Sequence, residues 1–552
     1  MRTPAVFQST ALVLMLSLVI AGCHRQLPVL SPGLDKDLTS AKPFEKAPLV
    51  VQPPLDLERQ PLEPSSDIIN RAKRETAPPA GTPSMSLSLP EVRKYALENN
   101  LDLQIALYDP GIAKAGFISA RSKFEAVLNA SLAENVSHDF TDALLRNVGL
   151  TPSVTIPTQE GGTASISLPF TRQTGNQFLP FTSIPVGRQD APTFSFSFDQ
   201  PLLRGAGPSF NYASINIAGL QMRQADARTK LAAIRVLANV EQAYWTLYNA
   251  HENLKIQIEQ YDLALEQLRT ARRLVEEGAR TKIEVTRAES DAARRFDGIL
   301  VAENTRRRAE LTLKGMMNES SLPLQSSTII IPMTPPDPQG LTFDRNRVIA
   351  LGLENRMEMF ENELELALDR ITLSTSRNLI LPDIRTTFSY SFLGAGTSFD
   401  HALNSLFSNA SGFTTGLSAS IPLGGNQKAK ADALQSALTL SKTEANRRAL
   451  EISIRQDVLN AINAVELDWQ RILSNRAAVA RAQETYQDNR TEFELGKITT
   501  TELALTLDQV AEARSALVSS ITEYQNSLVD LAFATGTVLG ESSVSWSPRV
   551  TP

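Results

Sequence analysis

One thiol and a few carboxylates are the reactive side chains that stand out by their placement. Cys23 is the only cysteine of the 552-residue chain, and it closes the apolar run Leu18-Val19-Ile20-Ala21-Gly22. A lone thiol at the end of such a run has no intramolecular partner, which suits acylation better than a disulfide framework. Two carboxylates each stand six residues beyond a glycine, Glu284 after Gly278 and Glu502 after Gly496, with Leu505 and Asp508 following Glu502. His138, His251 and His401 are scattered, and no His/Cys/carboxylate group has metal-ligand spacing. Neither a Gly-rich phosphate loop nor a nucleophile elbow occurs. No catalytic residue, metal or cofactor is therefore expected. The net charge of −6 is slight for this length and argues against nucleic acid as a partner.

The elements around Cys23 give it an address. Arg2 supplies the positive start of a signal peptide over residues 1–22, and its apolar stretch Ala11 to Ala21 is far shorter than the ~20 residues of a membrane-spanning helix. The small-small-Cys ending resembles the lipobox of bacterial lipoproteins, which implies cleavage before Cys23 and acylation of its thiol and amine. The alternative is an ordinary secretory signal with a chance cysteine. His24 stands where an Asp would retain such a lipoprotein at the inner membrane, so the outer membrane is expected. Residues 23–85, rich in proline, read as an extended tether. Ser88-Leu89-Pro90-Glu91 then opens the folded body as a capping box.

The body is an internal duplication. Leu97 in Ala96-Leu97-Glu98-Asn99-Asn100 matches Leu353, 256 residues on, while Pro201 matches Pro422 at an offset of 221 and Gly278 matches Gly496 at 218. The falling offset means that the first copy carries about 35 extra residues. These lie in a stretch rich in Gly, Ser, Thr and Pro from Thr141 to Ala191, expected as a long exposed loop. The expected boundaries are repeat 1 at 86–322, an inter-repeat linker at 323–341, repeat 2 at 342–540 and a tail at 541–552. Each copy runs helix, strand, loop, strand, very long helix, glycine turn, helix.

Apolar residues alternate over Val127–Val136, Phe194–Phe198, Ile384–Phe392 and Phe413–Ile421, which suits strands with lipid on one face and water on the other. An ordinary half-buried hairpin has the same period. In the first long helix a 3-4 spacing runs unbroken from Leu237 to Val275; its counterpart from Arg455 to Phe493 is interrupted by Arg455, Arg476, Gln483 and Arg490. That period demands a coiled-coil seam. A helix from Phe210 to Gly278 would be roughly 100 Å long, against a hydrocarbon core of ~30 Å. It therefore stands outside the bilayer. Four strands cannot close a barrel, so two, three or four copies would combine to give eight, twelve or sixteen.

The lipobox, the Leu-Glu-Asn-Asn opening, the Pro201 and Pro422 corners and the paired glycine turns at Gly278 and Gly496 resemble the TolC-like outer membrane efflux proteins. The lipid-anchored branch, similar to OprM, is the nearest. The resemblance implies a mainly α fold with a small β part: the duplicated repeat forms an α-helical periplasmic tunnel and, on trimerisation, a 12-stranded transmembrane β-barrel. It also implies a passive export duct, with a periplasmic adaptor protein and an inner-membrane transporter as partners. In the family the helix tips close the tunnel and dock the adaptor, which points to Gly278, Ala279, Arg280, Gly496, Lys497 and Ile498. Glu502 resembles the family's constriction-lining aspartate, and Glu284 is its counterpart in the first copy. The second constriction carboxylate falls at Leu505, an apolar plug instead, with Asp508 one turn further. Three Glu502 side chains around an axis would raise one another's pKa values and favour cations. The plain alternative is a first-turn helix carboxylate held by the helix dipole. For the whole chain, the other reading is a lipid-anchored coiled-coil structural protein of the cell envelope without a pore.

Overall fold

The computed structural model describes residues 84–138, 144–179, 182–408 and 410–542. The chain divides into two units, Met1–Leu62 and Glu63–Pro552. The expected signal peptide, Cys23, the expected tether up to residue 83 and the tail from residue 543 lie outside the described residues.

In the first copy, strand β1 (Ser84–Leu87) leads into helices α1 (Leu89–Asn99), α2 (Leu101–Ala106) and α3 (Asp109–Arg121). The Ser88 backbone N–H and hydroxyl donate to Glu91 at 2.8 and 2.7 Å, closing the capping box at the start of α1. Strands β2 (Val127–His138), β3 (Leu144–Pro157), β4 (Thr163–Ser167), β5 (Phe170–Leu179) and β6 (Thr182–Pro201) follow. A short turn of helix, α4 (Pro208–Asn211), then opens α5 (Ala213–Glu276), which returns through α6 (Lys282–Met317). β7 (Ile329–Pro332) pairs in parallel with β1 and joins the copies. The second copy runs α7 (Arg345–Asn355), α8 (Met357–Asn378), β8 (Asp383–Leu393), α9 (Phe399–Asn404), β9 (Ala410–Ser420), α10 (Gln427–Glu494), α11 (Thr500–Thr535) and α12 (Val538–Glu541).

At 64 and 68 residues, α5 and α10 each run roughly 100 Å at 1.5 Å per residue. The 3-4 stripe of α5 is its buried face, with Leu237, Val240, Tyr244, Leu247 and Leu254 fully enclosed. On α10 the apolar members Val458, Ile462, Val465 and Ile472 are buried, while the interrupting Arg455 and Arg476 lie exposed. Charged heads thus stay wet where the seam loosens. None of the described helices is long and apolar enough to cross a membrane.

The sheet departs from the expectation. Residues 141–191 are no long loop: β3, β4 and β5 occupy most of them. The strand order is β2-β3-β4-β6-β8-β9, with β5 also lying between β3 and β6. All neighbours are antiparallel. β4 and β5 are two halves of one strand, since both bridge the same pair of neighbours. The sheet is therefore six strands wide, where the alternation alone predicts four.

One cross-strand row runs Leu128, Val154, Ile166, Phe196, Tyr390, Phe413, apolar or aromatic at every strand. The next row, on the opposite face, runs Asn129, Ser153, Ser167, Ser195, Ser391, Gly412. Leu128, Ile166 and Phe413 are exposed in the single chain. An exposed apolar face backed by a small polar one is the surface of a lipid-facing, water-lined wall.

Candidate functional site at the helix tips

Both long helices end on a left-handed glycine, Gly278 at φ 74° and Gly496 at φ 77°. The Ala279 and Arg280 backbone N–H groups donate back to the Leu274 carbonyl at 2.9 and 3.1 Å, and Lys497 N–H donates to the Glu492 carbonyl at 2.9 Å. These bonds use carbonyls that the helix end would otherwise leave without partners. A side chain at either glycine would carry a backbone conformation that L residues adopt only at a cost.

The two tips are fastened to each other. Arg280 reaches from the first turn, donates to the Ile498 carbonyl at 2.6 Å, and lies over the Phe493 ring at 5.4 Å. Thr500 begins α11, and its backbone N–H donates to Glu284 Oε2 at 3.0 Å. Arg287 donates to the other oxygen of Glu284 at 3.1 Å. Burial pushes the Glu284 carboxyl up, but hydrogen bonding from Thr500 and the charges of Arg287 and Arg280 outweigh it and hold it below its ordinary value.

The expected constriction residues part company here. Glu284 is buried between the hairpins: the N–H of Thr500 has no partner within its own helix, and Glu284 supplies the acceptor. Glu502 is exposed, and its carboxylate accepts from the Thr499 backbone N–H at 2.7 Å and the Thr499 hydroxyl at 3.0 Å. That is a capping box, and these bonds hold the Glu502 carboxyl below its ordinary value. Leu505 is exposed, at 58%. Asp508 pairs with Arg294 at 2.8 Å and with the buried Arg295 at 3.0 Å. Asp291 in turn accepts from Arg294 at 2.6 Å and from Arg295 at 2.8 Å.

Sequence reasoning missed this four-residue network. Its trace was the i,i+3 and i,i+4 spacing of Asp291 from Arg294 and Arg295. Of the six proposed docking residues, Gly278, Ala279, Gly496 and Lys497 face outward, while Arg280 and Ile498 are half-buried in the contact between tips. No group of three or more metal-binding side chains occurs among the described residues.

The outer membrane efflux protein family model matches residues 193–319 and 348–537. The chain belongs to that family. The first matched block runs from within β6 to just past α6 and the second from within α7 to just past α11, so both long helical hairpins fall within the efflux-protein match. Solved structures agree at the level of fold. The CusC channel superposes with a TM-score of 0.61 at 15% identity, covering 82% of this efflux protein and 93% of CusC. The CmeC outer membrane channel of Campylobacter jejuni gives 0.60 at 14%, covering 81% and 85%. The open-state MtrE outer membrane channel of Neisseria gonorrhoeae gives 0.58 at 17%, covering 82% and 89%. Comparison with curated proteins gives no sequence match.

Proposed function

We propose that this efflux protein is a passive, trimeric export duct of the outer membrane, anchored by acyl chains on Cys23. It would receive cargo through an inner-membrane transporter and a periplasmic adaptor that docks on the outward-facing Gly278, Ala279, Gly496 and Lys497. The observation that carries this reading is the open sheet: among the described residues β2 and β9 each lack a neighbour on one side, while one face is continuously apolar. Backbone groups on such edges cannot stay unpaired in lipid, so copies must close the wall together. Helices far longer than the bilayer then continue the cylinder away from the membrane. Energy for export would come from the inner-membrane partner. Glu502 would line the closed end of the tunnel once three copies meet.

Electron microscopy of the protein extracted in mild detergent tests this. Hollow threefold particles with a rod roughly 100 Å long below the micelle are expected. Solid, non-symmetric rods outside any micelle would overturn it in favour of an envelope coiled coil. Mass spectrometry of the N-terminal peptide should find acylated Cys23; an unacylated mature chain would remove the anchor from the proposal.

A further inference from the structure

We propose that this protein builds its barrel wall from six strands per chain, eighteen in the trimer, instead of the four and twelve that its family resemblance implies. The inference rests on the trimeric-duct reading and deepens it, because it sets the width of the exit.

The extra hairpin has the pattern of a wall element. Along β3, Val148, Leu150, Val154 and Ile156 fall on the face of Leu128 and Phe196, while Asn147, Gly149, Thr151, Ser153 and Thr155 fall on the face of Ser195. The same register continues through Ala164, Ile166 and Phe170 on one side and Ser165 and Ser167 on the other. A hairpin lying over the barrel or hanging in solvent would have no use for that alternation.

The hairpin also spans the wall from end to end. Its turn is tied to the helix side of the sheet. There the Glu160 carbonyl accepts from Gly207 N–H at 3.1 Å and from Gln200 Nε2 at 3.1 Å, beside the corner where β6 passes into α5. Toward the opposite end a charged row crosses the same strands: Glu134 pairs with Arg146 at 2.6 Å, and Asp190 with Arg172 at 2.6 Å and Arg188 at 2.7 Å. The apolar rows lie between these limits, as a lipid band lies between its polar margins.

Most decisively, β6 has no free edge for β2. β4 sets Thr163–Ser167 opposite Ser195–Asp199 of β6, and β8 takes the other side of the same β6 segment. The unpaired edges of the sheet are those of β2 and β9, which are the edges that a second copy of this chain would join. Six is even, so up and down strands still alternate around a closed ring.

Barrel diameter grows roughly linearly with strand number, so the exit would be about 1.5-fold wider than a twelve-strand ring of equal tilt. The tips, built from the same number of helices as before, would remain the narrow part. Cargo would be limited in size at the tips and not at the membrane.

Paired cysteines in the full-length, membrane-inserted protein test the pairing. Ser165→Cys with Ser197→Cys should cross-link nearly completely, since these residues are direct neighbours on β4 and β6. Asn129→Cys with Ser195→Cys, placed on β2 and β6, should stay reduced. The reverse pattern would overturn the inference. Strand counting in a cryo-EM map of the unmodified protein decides independently. Eighteen strands in a threefold ring support the inference, and twelve with residues 144–179 outside the wall overturn it while leaving the duct intact. A particle without threefold symmetry or without a barrel would sink the duct reading itself.

Discussion

Glu284 Oε2 accepts the backbone N–H of Thr500 at 3.0 Å, so a carboxylate of the first helical hairpin caps the returning helix of the second. The contact joins equivalent turns of the two copies, and with Arg280 on the Ile498 carbonyl it makes the tip one object. Parting the two hairpins must break both.

Glu284→Ala should therefore loosen the tip. A buried N–H left without an acceptor costs about 1–3 kcal/mol, seen as faster hydrogen exchange at Thr500 and its neighbours. Glu284→Gln keeps an acceptor and should fall between. Because the folded carboxyl lies below its ordinary value of 4.5, its contribution is complete above that pH and is lost as pH falls through the folded value. Unchanged exchange at Thr500 in the Ala variant would refute the staple.

Asp508→Asn should weaken the hold between α6 and α11 by about 1–3 kcal/mol, because it removes charged hydrogen bonds to Arg294 and Arg295. Arg295 keeps Asp291, so the loss stays well short of an unpaired buried charge. Local opening of α11 by hydrogen exchange, compared with Asp291→Asn, reads the effect. Equal protection in the variant and the native protein would mean that the network is idle.

Glu502 combines a cap and a charge, and two substitutions separate them. Glu502→Gln preserves an acceptor for Thr499 and should leave the start of α11 intact while lowering cation preference in planar-bilayer recordings. Glu502→Ala should lose both. Native ion preference in both variants would eliminate the proposed carboxylate ring.

His251 is buried in the α5 seam, and its Nδ1 has no hydrogen-bond partner. Burial, with the charges of Arg306 and Lys255, lowers its pKa from 6.5 to about 4. The unfolded chain binds this proton first, so stability should decline as pH drops from 6.5 toward 4, by on the order of 3 kcal/mol at most. His251→Leu should flatten that slope in urea unfolding across this range. A native slope in the variant would assign the pH dependence elsewhere.

Gly278→Ala places a side chain at φ 74°, where its Cβ would meet nothing within 4 Å. The cost is then backbone strain alone, about 1–2 kcal/mol, and should appear as local opening at the tip with the helices intact. Global unfolding in the variant would reveal contacts that the single chain does not contain.

Much of this architecture was legible from one dimension. The 3-4 stripe of α5 and the paired glycines define helical hairpins by local periodicity and backbone freedom, and the matched offsets expose the duplication directly. The Ser88–Glu91 box could be read from four adjacent residues. The strands of the second copy were visible because aromatic residues at every other position leave a strong signal.

The inserted hairpin was misread for a physical reason. In a wall with water on one side, every second residue is small and polar, so Thr151, Ser153, Thr155, Ser165 and Ser167 give the stretch the composition of a loop. Its apolar partners are merely Val, Leu and Ile among them. What distinguishes strand from loop here is pairing with chain segments brought alongside by folding, and pairing has no one-dimensional signature. The tip tells the same story. Local sequence is enough to place two glycine turns with a carboxylate after each, and the Thr499–Glu502 box lies within four adjacent residues. That Glu284 caps Thr500 and that Asp508 answers two arginines follows from folding alone, because those partners come from separate hairpins and are set by which groups each leaves unsatisfied where they meet.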